Sequence, residues 1–154
     1  MKLQIRKRTQ GFTIIEVLIV LAIAGLIMAI VFLAVPALRR NSSNTSRRSD
    51  ASHLAGLVNE YASNHAGGLP TTALLQAACT GENFTAYTTG CTGVTVAAAA
   101  ATNTAGTLTN PYVYTNATCD PNTGVVSVGG GTKSFAVQYE VQTSSGSDDT
   151  CIQG

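Results

Sequence analysis

The sequence predicts an α+β fold: a long N-terminal helix, its first half apolar and its second half amphipathic, packed on a small antiparallel β-sheet head. Three observations carry this. Phe12 to Leu38 is an apolar run with a single charge, Glu16. Further on, Ala51, Leu54, Ala55, Leu57, Val58, Tyr61 and Ala62 recur at spacings of three and four, the period of a helix with one apolar face. Near the C-terminus Phe135, Val137, Tyr139 and Val141 alternate with Ala136, Gln138, Glu140 and Gln142, the period of a strand.

The 154 residues hold one domain plus an anchor, and hardly two domains. Charged residues make up 11%, against roughly 25% in ordinary soluble domains. The net charge of +1 excludes a generally basic nucleic-acid binder and an acidic solvating tail. It also hides an asymmetry. Lys2, Arg6, Lys7 and Arg8 precede the apolar run, and Arg39, Arg40, Arg47 and Arg48 follow it. From Ser49 onward Lys133 is the one basic residue, against seven acids.

Val17 to Leu38 is free of charge and long enough as a helix to cross a hydrocarbon core about 30 Å thick. It exceeds a signal-peptide core of roughly 7–15 residues, and no small-residue cleavage site follows it, so the segment is expected to be retained. Gly25 and Pro36 interrupt it. Glycine is tolerated where another backbone comes close, and Pro36 removes a donor and predicts a local kink. Basic residues on both flanks leave the positive-inside bias near a tie. Glu16 is costly in this setting, on the order of 2.5–3.5 kcal/mol at a helix centre and less near the interface. Either it sits in the headgroup region and is solvated, or a cation is supplied to it later.

The run Lys7-Arg8-Thr9-Gln10-Gly11-Phe12-Thr13-Ile14-Ile15-Glu16-Val17-Leu18 resembles the leader junction of a type IV prepilin. That pattern is a short basic leader ending in Gly, then Phe, then Glu at the fifth position after the cut, then about twenty apolar residues. The resemblance covers Gly11 to Ala34; beyond residue 65 only the architecture is similar. The proline common in that family's first helix stands here as Pro36, a few residues later than usual. The resemblance implies a pilin fold. It implies cleavage after Gly11 by a membrane-embedded prepilin peptidase and methylation of the new amino group of Phe12. It further implies that this amine meets the Glu16 carboxylate of a neighbouring subunit, making Glu16 the assembly residue. A carboxylate in apolar surroundings gains far more from a partner than one in water.

On this reading residues 1–11 are the leader and 12–38 the transmembrane or filament-core helix. Residues 39–66 continue it as an amphipathic helix, and 67–154 form a β-rich head stapled by disulfides. The helix runs from about Phe12 to about Ala66, roughly 80 Å at 1.5 Å per residue. The Ser, Asn and Thr residues between Asn41 and Ser46 loosen it, or divide it into two helices with a flexible joint. Gly67-Gly68-Leu69-Pro70 ends it. A short helix at Thr71–Ala78 is capped by Thr71 or Thr72. Strands are expected at Val94–Val96, Pro111–Thr115 and Gly124–Val128, with Gly129–Gly131 as a hairpin turn into a strand over Lys133–Thr143. The stripe of Leu54, Leu57, Val58 and Tyr61 covers the apolar face of the sheet.

Cys79, Cys91, Cys119 and Cys151 contain no C-x-x-C pair, which argues against a zinc site or a thioredoxin-like dithiol. An even count behind an export-competent segment reads as two disulfides in an oxidising compartment. Three connectivities are open. Sequential pairing, Cys79–Cys91 and Cys119–Cys151, is favoured, with four free buried thiols as the alternative. The disulfide reading places the head outside the cytoplasm.

No enzymatic constellation emerges. His53 and His65 lie twelve apart without a converging nucleophile or third ligand. Asp148-Asp149 could offer oxygens to calcium, yet no Asp-x-Asp-x-Gly loop is present. No metal or cofactor is expected. The four arginines after the span could meet anionic headgroups or acidic neighbouring heads, or simply be solvated. The acidic head argues against nucleic-acid binding. Asn83-Phe84-Thr85 and Asn116-Ala117-Thr118 match the glycosylation triplet only weakly.

The leading expectation is therefore a structural subunit of an extracellular filament, serving adhesion, twitching motility or DNA uptake. Its implied partners are the prepilin peptidase, identical or related pilins, and a membrane assembly platform with a cytoplasmic ATPase. It would be single-pass in the cytoplasmic membrane, head outside, before assembly. The alternatives are a pseudopilin of a type II secretion-like system and a single-span surface adhesin that never polymerises.

Overall fold

The computed structural model describes residues 11–80, 84, 90–100 and 109–154. The chain divides into two compact units, Met1–Leu38 and Arg39–Gly154. Helix α1 (Ile14–Asn64) contributes to both. In the first unit every described side chain is exposed, including Leu18, Leu26, Phe32 and Leu38, and the helix runs on through Pro36. Its most apolar 18-residue window has a mean hydropathy of 3.2, long and apolar enough to cross a membrane.

In the second unit α1 passes Asn41–Ser46 as continuous helix, without the joint that the local composition allows. The short polar side chains turn back onto the helix. Thr45 Oγ1 donates to the Asn41 carbonyl at 2.9 Å and Ser46 Oγ to that of Ser42 at 3.2 Å. Asn44 uses its side chain tertiarily. Its Nδ2 donates to the Gln142 carbonyl at 2.7 Å and its Oδ1 accepts from the Gln142 N–H at 2.8 Å. The helix stops at Asn64, where Ala66 and Gly67 take positive φ angles and the Gly67 N–H reaches back to the Ala62 carbonyl at 2.7 Å.

Helix α2 (Thr72–Ala78) is capped by Thr71, whose hydroxyl accepts from the Leu74 N–H. Strands follow as β1 (Thr95–Ala98), β2 (Tyr112–Thr115), β3 (Ala117–Cys119), β4 (Val126–Val128), β5 (Phe135–Gln142) and β6 (Ser147–Gln153). They form a four-stranded sheet in the order β1-β2-β5-β6 and a two-stranded sheet β3-β4. Helix α2 seals the free edge of β1. Thr72 Oγ1 bonds both the N–H and the carbonyl of Val96, and Gln76 Nε2 donates to the carbonyls of Thr92 and Val94.

The α+β fold stands, with two differences of topology. The main sheet is mixed, because β1 pairs parallel with β2. A parallel pair needs a crossover connection of about a dozen or more residues, and the stretch from Ala99 to Pro111 supplies that length. Gly129–Gly131 is not a hairpin turn: β4 pairs with β3 and β5 with β2 and β6, so these glycines carry the chain from one sheet to the other. The crossing is tight, since a Cβ on Gly130 would lie 2.8 Å from the Ala117 carbonyl oxygen.

The core lies between α1 and the main sheet. Ala51, Leu54, Ala55 and Val58 pack with Val113, Phe135, Val137 and Tyr139, joined by Leu75 of α2 and Val94. Leu57 contributes partly, and Tyr61 instead stacks on His65. A second cluster of Tyr114, Ala117, Val126 and Ala136 fills the other face of the sheet beneath β3 and β4. Strand β5 is consequently buried on both faces over its first half, including Gln138.

Candidate functional site at the processing junction

The N-terminal edge of α1 gathers the residues that the sequence singles out. Gly11, Phe12 and Thr13 precede the helix as irregular backbone, and Ile14 begins it. Phe12 is 88% exposed. Of the expected leader, residues 1–11, only Gly11 is among the described residues. A junction read by a peptidase has to be accessible backbone outside regular structure, and Gly11 and Phe12 are exposed and precede the helix.

Glu16 sits in the first turn, where the positive end of the helix dipole favours a carboxylate. Its Oε2 accepts from the Thr13 N–H at 3.2 Å and from the Thr13 hydroxyl at 3.0 Å. In return the Glu16 N–H donates to Thr13 Oγ1 at 3.3 Å. This is a capping box, Thr-x-x-Glu, which satisfies helix donors that have no partner within the helix. Thr13 is a functional residue beyond those expected from the sequence, and its signal there is the Thr-x-x-Glu spacing before an apolar run. Glu16 is thus exposed and at the same time held by Thr13 of its own chain. Phe12, Glu16, Val17, Val20 and Leu21 line one shallow groove along the helix. The structure therefore brings Phe12 and Glu16 together on an exposed apolar surface, where a charged group can meet the carboxylate from outside.

The cysteines lie far along the chain from this junction and form two disulfides, Cys79–Cys91 and Cys119–Cys151. The first ties the end of α2 to a 3-10 turn at Gly90–Gly93, and the second ties β3 to β6. Other candidates do not converge. His53 faces Phe84, and His65 places Nδ1 2.8 Å from the Tyr61 carbonyl. Asp148 and Asp149 are successive residues of β6 and so project to opposite faces. Among the described residues no three His, Cys, Asp or Glu side chains group as metal ligands. The arginines do not form one solvated stretch: Arg39 and Arg48 are exposed, but Arg47 is buried, and its Nε and Nη1 find no hydrogen-bond partner. Of the two glycosylation triplets, Asn83 and Thr85 lie outside the described residues, and Asn116 is an exposed bend between β2 and β3.

Two aspartates of the head are perturbed in opposite senses. Backbone N–H donation from Asn122 holds Asp120 below the ordinary carboxylate range. Burial, then the Glu140 charge, pushes Asp149 above it.

The family model for the prokaryotic N-terminal methylation motif matches residues 6–32. The chain's N-terminal segment is that of a type IV prepilin-like protein. The match spans the junction, Phe12, the capping box and most of the apolar helix, so the prepilin-like character rests on the segment just described and not on the head. No curated protein and no solved structure matches the chain. A prepilin-like junction implies processing by a prepilin peptidase and work within a pilin system.

Proposed function

We propose that the chain is a structural, non-catalytic subunit of an extracellular filament. In this reading prepilin peptidase cuts after Gly11, and Phe12 carries the new, methylated amino group. Residues 12–38 wait in the cytoplasmic membrane with the head, residues 67–154, outside. An assembly platform with a cytoplasmic ATPase then lifts the helix into a bundle of identical or related pilins. The filament serves adhesion, twitching motility or DNA uptake. The observation that carries this reading is the exposed apolar helix whose one carboxylate, Glu16, lies four residues from Phe12.

The physical logic concerns what covers the helix and what neutralises the acid. Lipid covers it first and neighbouring helices cover it afterwards, so the apolar surface never needs to meet water. Cleavage creates an ammonium beside a segment that otherwise holds no cation between Phe12 and Leu38. A neighbour's ammonium compensates Glu16 better than Thr13 does, because it brings a full positive charge where Thr13 offers only dipoles, and that attraction is strong in a low-dielectric bundle. Register between subunits follows from that pairing.

Mass spectrometry of the mature N-terminus tests the processing step, with methylated Phe12 expected. An intact Met1 in cells with an active peptidase would leave a non-polymerising single-span protein. Glu16→Ala tests assembly: membrane insertion should persist while filaments seen by electron microscopy are lost. Normal filaments from that variant would overturn the role given to Glu16.

A further inference from the structure

A cleft of about 370 Å³ opens in the second unit between Asn44, Thr45 and Arg48 of α1 and Tyr139, Thr150 and Ile152 of the sheet. Its lining holds one cation and no carboxylate. Glu140 and Asp149 stand opposite each other in the β5–β6 pair, on the face turned away from Tyr139 and Thr150. Asp148 shares the face of Thr150 and Ile152 and pairs with Val141; it is exposed and outside the lining.

The cleft is held in shape without a ligand. The two bonds between Asn44 and the Gln142 backbone fix the helix against the end of β5. Tyr139 is 3% exposed, stands opposite Thr150 in the β5–β6 pair and lies within the field of Arg48. Arg48 itself is exposed, so its guanidinium fork is open to an arriving anion. Ile152 supplies an apolar wall continuous with the main core.

We propose that this cleft binds a phosphate ester, with the Arg48 guanidinium as the anion anchor and the Tyr139 and Thr150 hydroxyls as neutral donors. Arginine's planar fork matches phosphate oxygens bidentately, hydroxyls complete the set, and the apolar wall takes the glyceryl part of the ester. The volume is larger than a lone carboxylate needs. Asn44 follows Leu38 by six residues, with Arg39 and Arg40 between them. The anionic headgroup of a phospholipid such as phosphatidylglycerol is therefore the source that the position in the chain favours. That choice of source rests on the membrane reading of the apolar segment; the cleft chemistry does not.

The experiment uses the full chain, disulfides intact. In uncharged detergent micelles, inorganic phosphate, glycerol 3-phosphate and acetate are titrated while NMR follows the Thr150 amide and the Tyr139 ring. In nanodiscs, phosphatidylcholine alone is compared with phosphatidylcholine plus phosphatidylglycerol. Saturable shifts with the phosphates, and with phosphatidylglycerol, are expected. Arg48→Gln should weaken them roughly tenfold, whereas Arg39→Gln should leave them within about twofold. Tyr139→Phe, which keeps the ring, should weaken them by a smaller factor. Shifts with phosphatidylglycerol alone assign the cleft to the lipid. Shifts with soluble phosphates in a protein that never enters membranes keep the cleft and overturn the membrane reading. Shifts that survive Arg48→Gln, that Arg39→Gln abolishes equally, or that acetate reproduces would overturn the proposal.

Discussion

Leu26 and Leu54 stand in the same helix, yet Leu26 is 63% exposed and Leu54 is completely buried. The backbone is the same; the neighbours differ. Around Leu54, Ala51, Ala55 and Val58 meet Val113, Phe135 and Val137 of the sheet, and the helix hides its apolar stripe within its own chain. Around Leu26, the apolar residues run all round the helix, and each described residue of that unit is exposed. A helix hydrophobic on every side is built to be surrounded. The head closes its accounts as a monomer, whereas the N-terminal segment leaves its burial to lipid or to other helices.

That contrast can be broken most forcefully in the core. Leu54→Ala removes a fully buried side chain at the centre of the α1–sheet contact and should cost the head about 2–5 kcal/mol. Leu26→Ala, the same chemistry in the other region, should leave the head's unfolding unchanged. Thermal or denaturant unfolding of the full chain in detergent, followed by near-ultraviolet circular dichroism, checks both. Equal destabilisation by the two substitutions would mean that the segments do not divide as described.

The disulfides sharpen the same comparison, since both belong to the head. Each should contribute about 2–4 kcal/mol, the more for the longer closed loop. Cys119–Cys151 spans 32 residues and Cys79–Cys91 spans 12. The Cys119→Ser/Cys151→Ser pair should therefore lower the denaturation midpoint further than Cys79→Ser/Cys91→Ser. The former bridge also joins the small sheet to the edge strand of the large one. Hydrogen exchange should accordingly rise at β3 and β6 when it is removed, and a reversed order of midpoints would show that loop length is not what the bridges act through.

The regions also differ in how far they could be read beforehand. The N-terminal segment was legible because its signals are local: an unbroken apolar run, a glycine before it, and one acid at a fixed spacing. The amphipathic stripe of α1 and the alternation in β5 were legible for the same reason. Strand β6 was not. Ser147-Asp148-Asp149-Thr150 carries no strand pattern, and it extends because β5 offers it a partner along seven residue pairs. The burial of Ala136 and Gln138 escaped likewise, because alternation in one strand cannot reveal that a second sheet covers its other face. Thr13 is a different case. Its spacing to Glu16 is a local signal, but the same acid carries two roles, a charge in an apolar run and a cap on the helix, and the charge alone does not reveal the cap.

The smallest expected effect lies where the head places like charges together. Glu140 and Asp149 are directly opposed across β5 and β6, with Asp148 beside them. Burial, then the Glu140 charge and that of Asp148, raise the affinity of Asp149 for a proton in the folded chain above that in the unfolded chain. The sign follows. Folding favours the protonated form, so the contribution of Asp149 is fully present below the ordinary aspartate range and is lost as pH rises through the higher folded value. At neutral pH the opposed carboxylates cost stability, and Asp149→Asn should recover about 0.2–1 kcal/mol. The gain should shrink toward zero as the pH falls to where wild-type Asp149 is protonated. Asp120 provides the opposite sign, because Asn122 and Thr123 donate to its ionised carboxylate. Its contribution is present above the ordinary range and disappears on acidification, so Asp120→Asn should destabilise at neutral pH. Melting temperatures of both variants and the parent across the acid range decide the matter. If the Asp149→Asn curve ran parallel to the parent's at every pH, the β5–β6 pair would not be carrying the strain that its register implies.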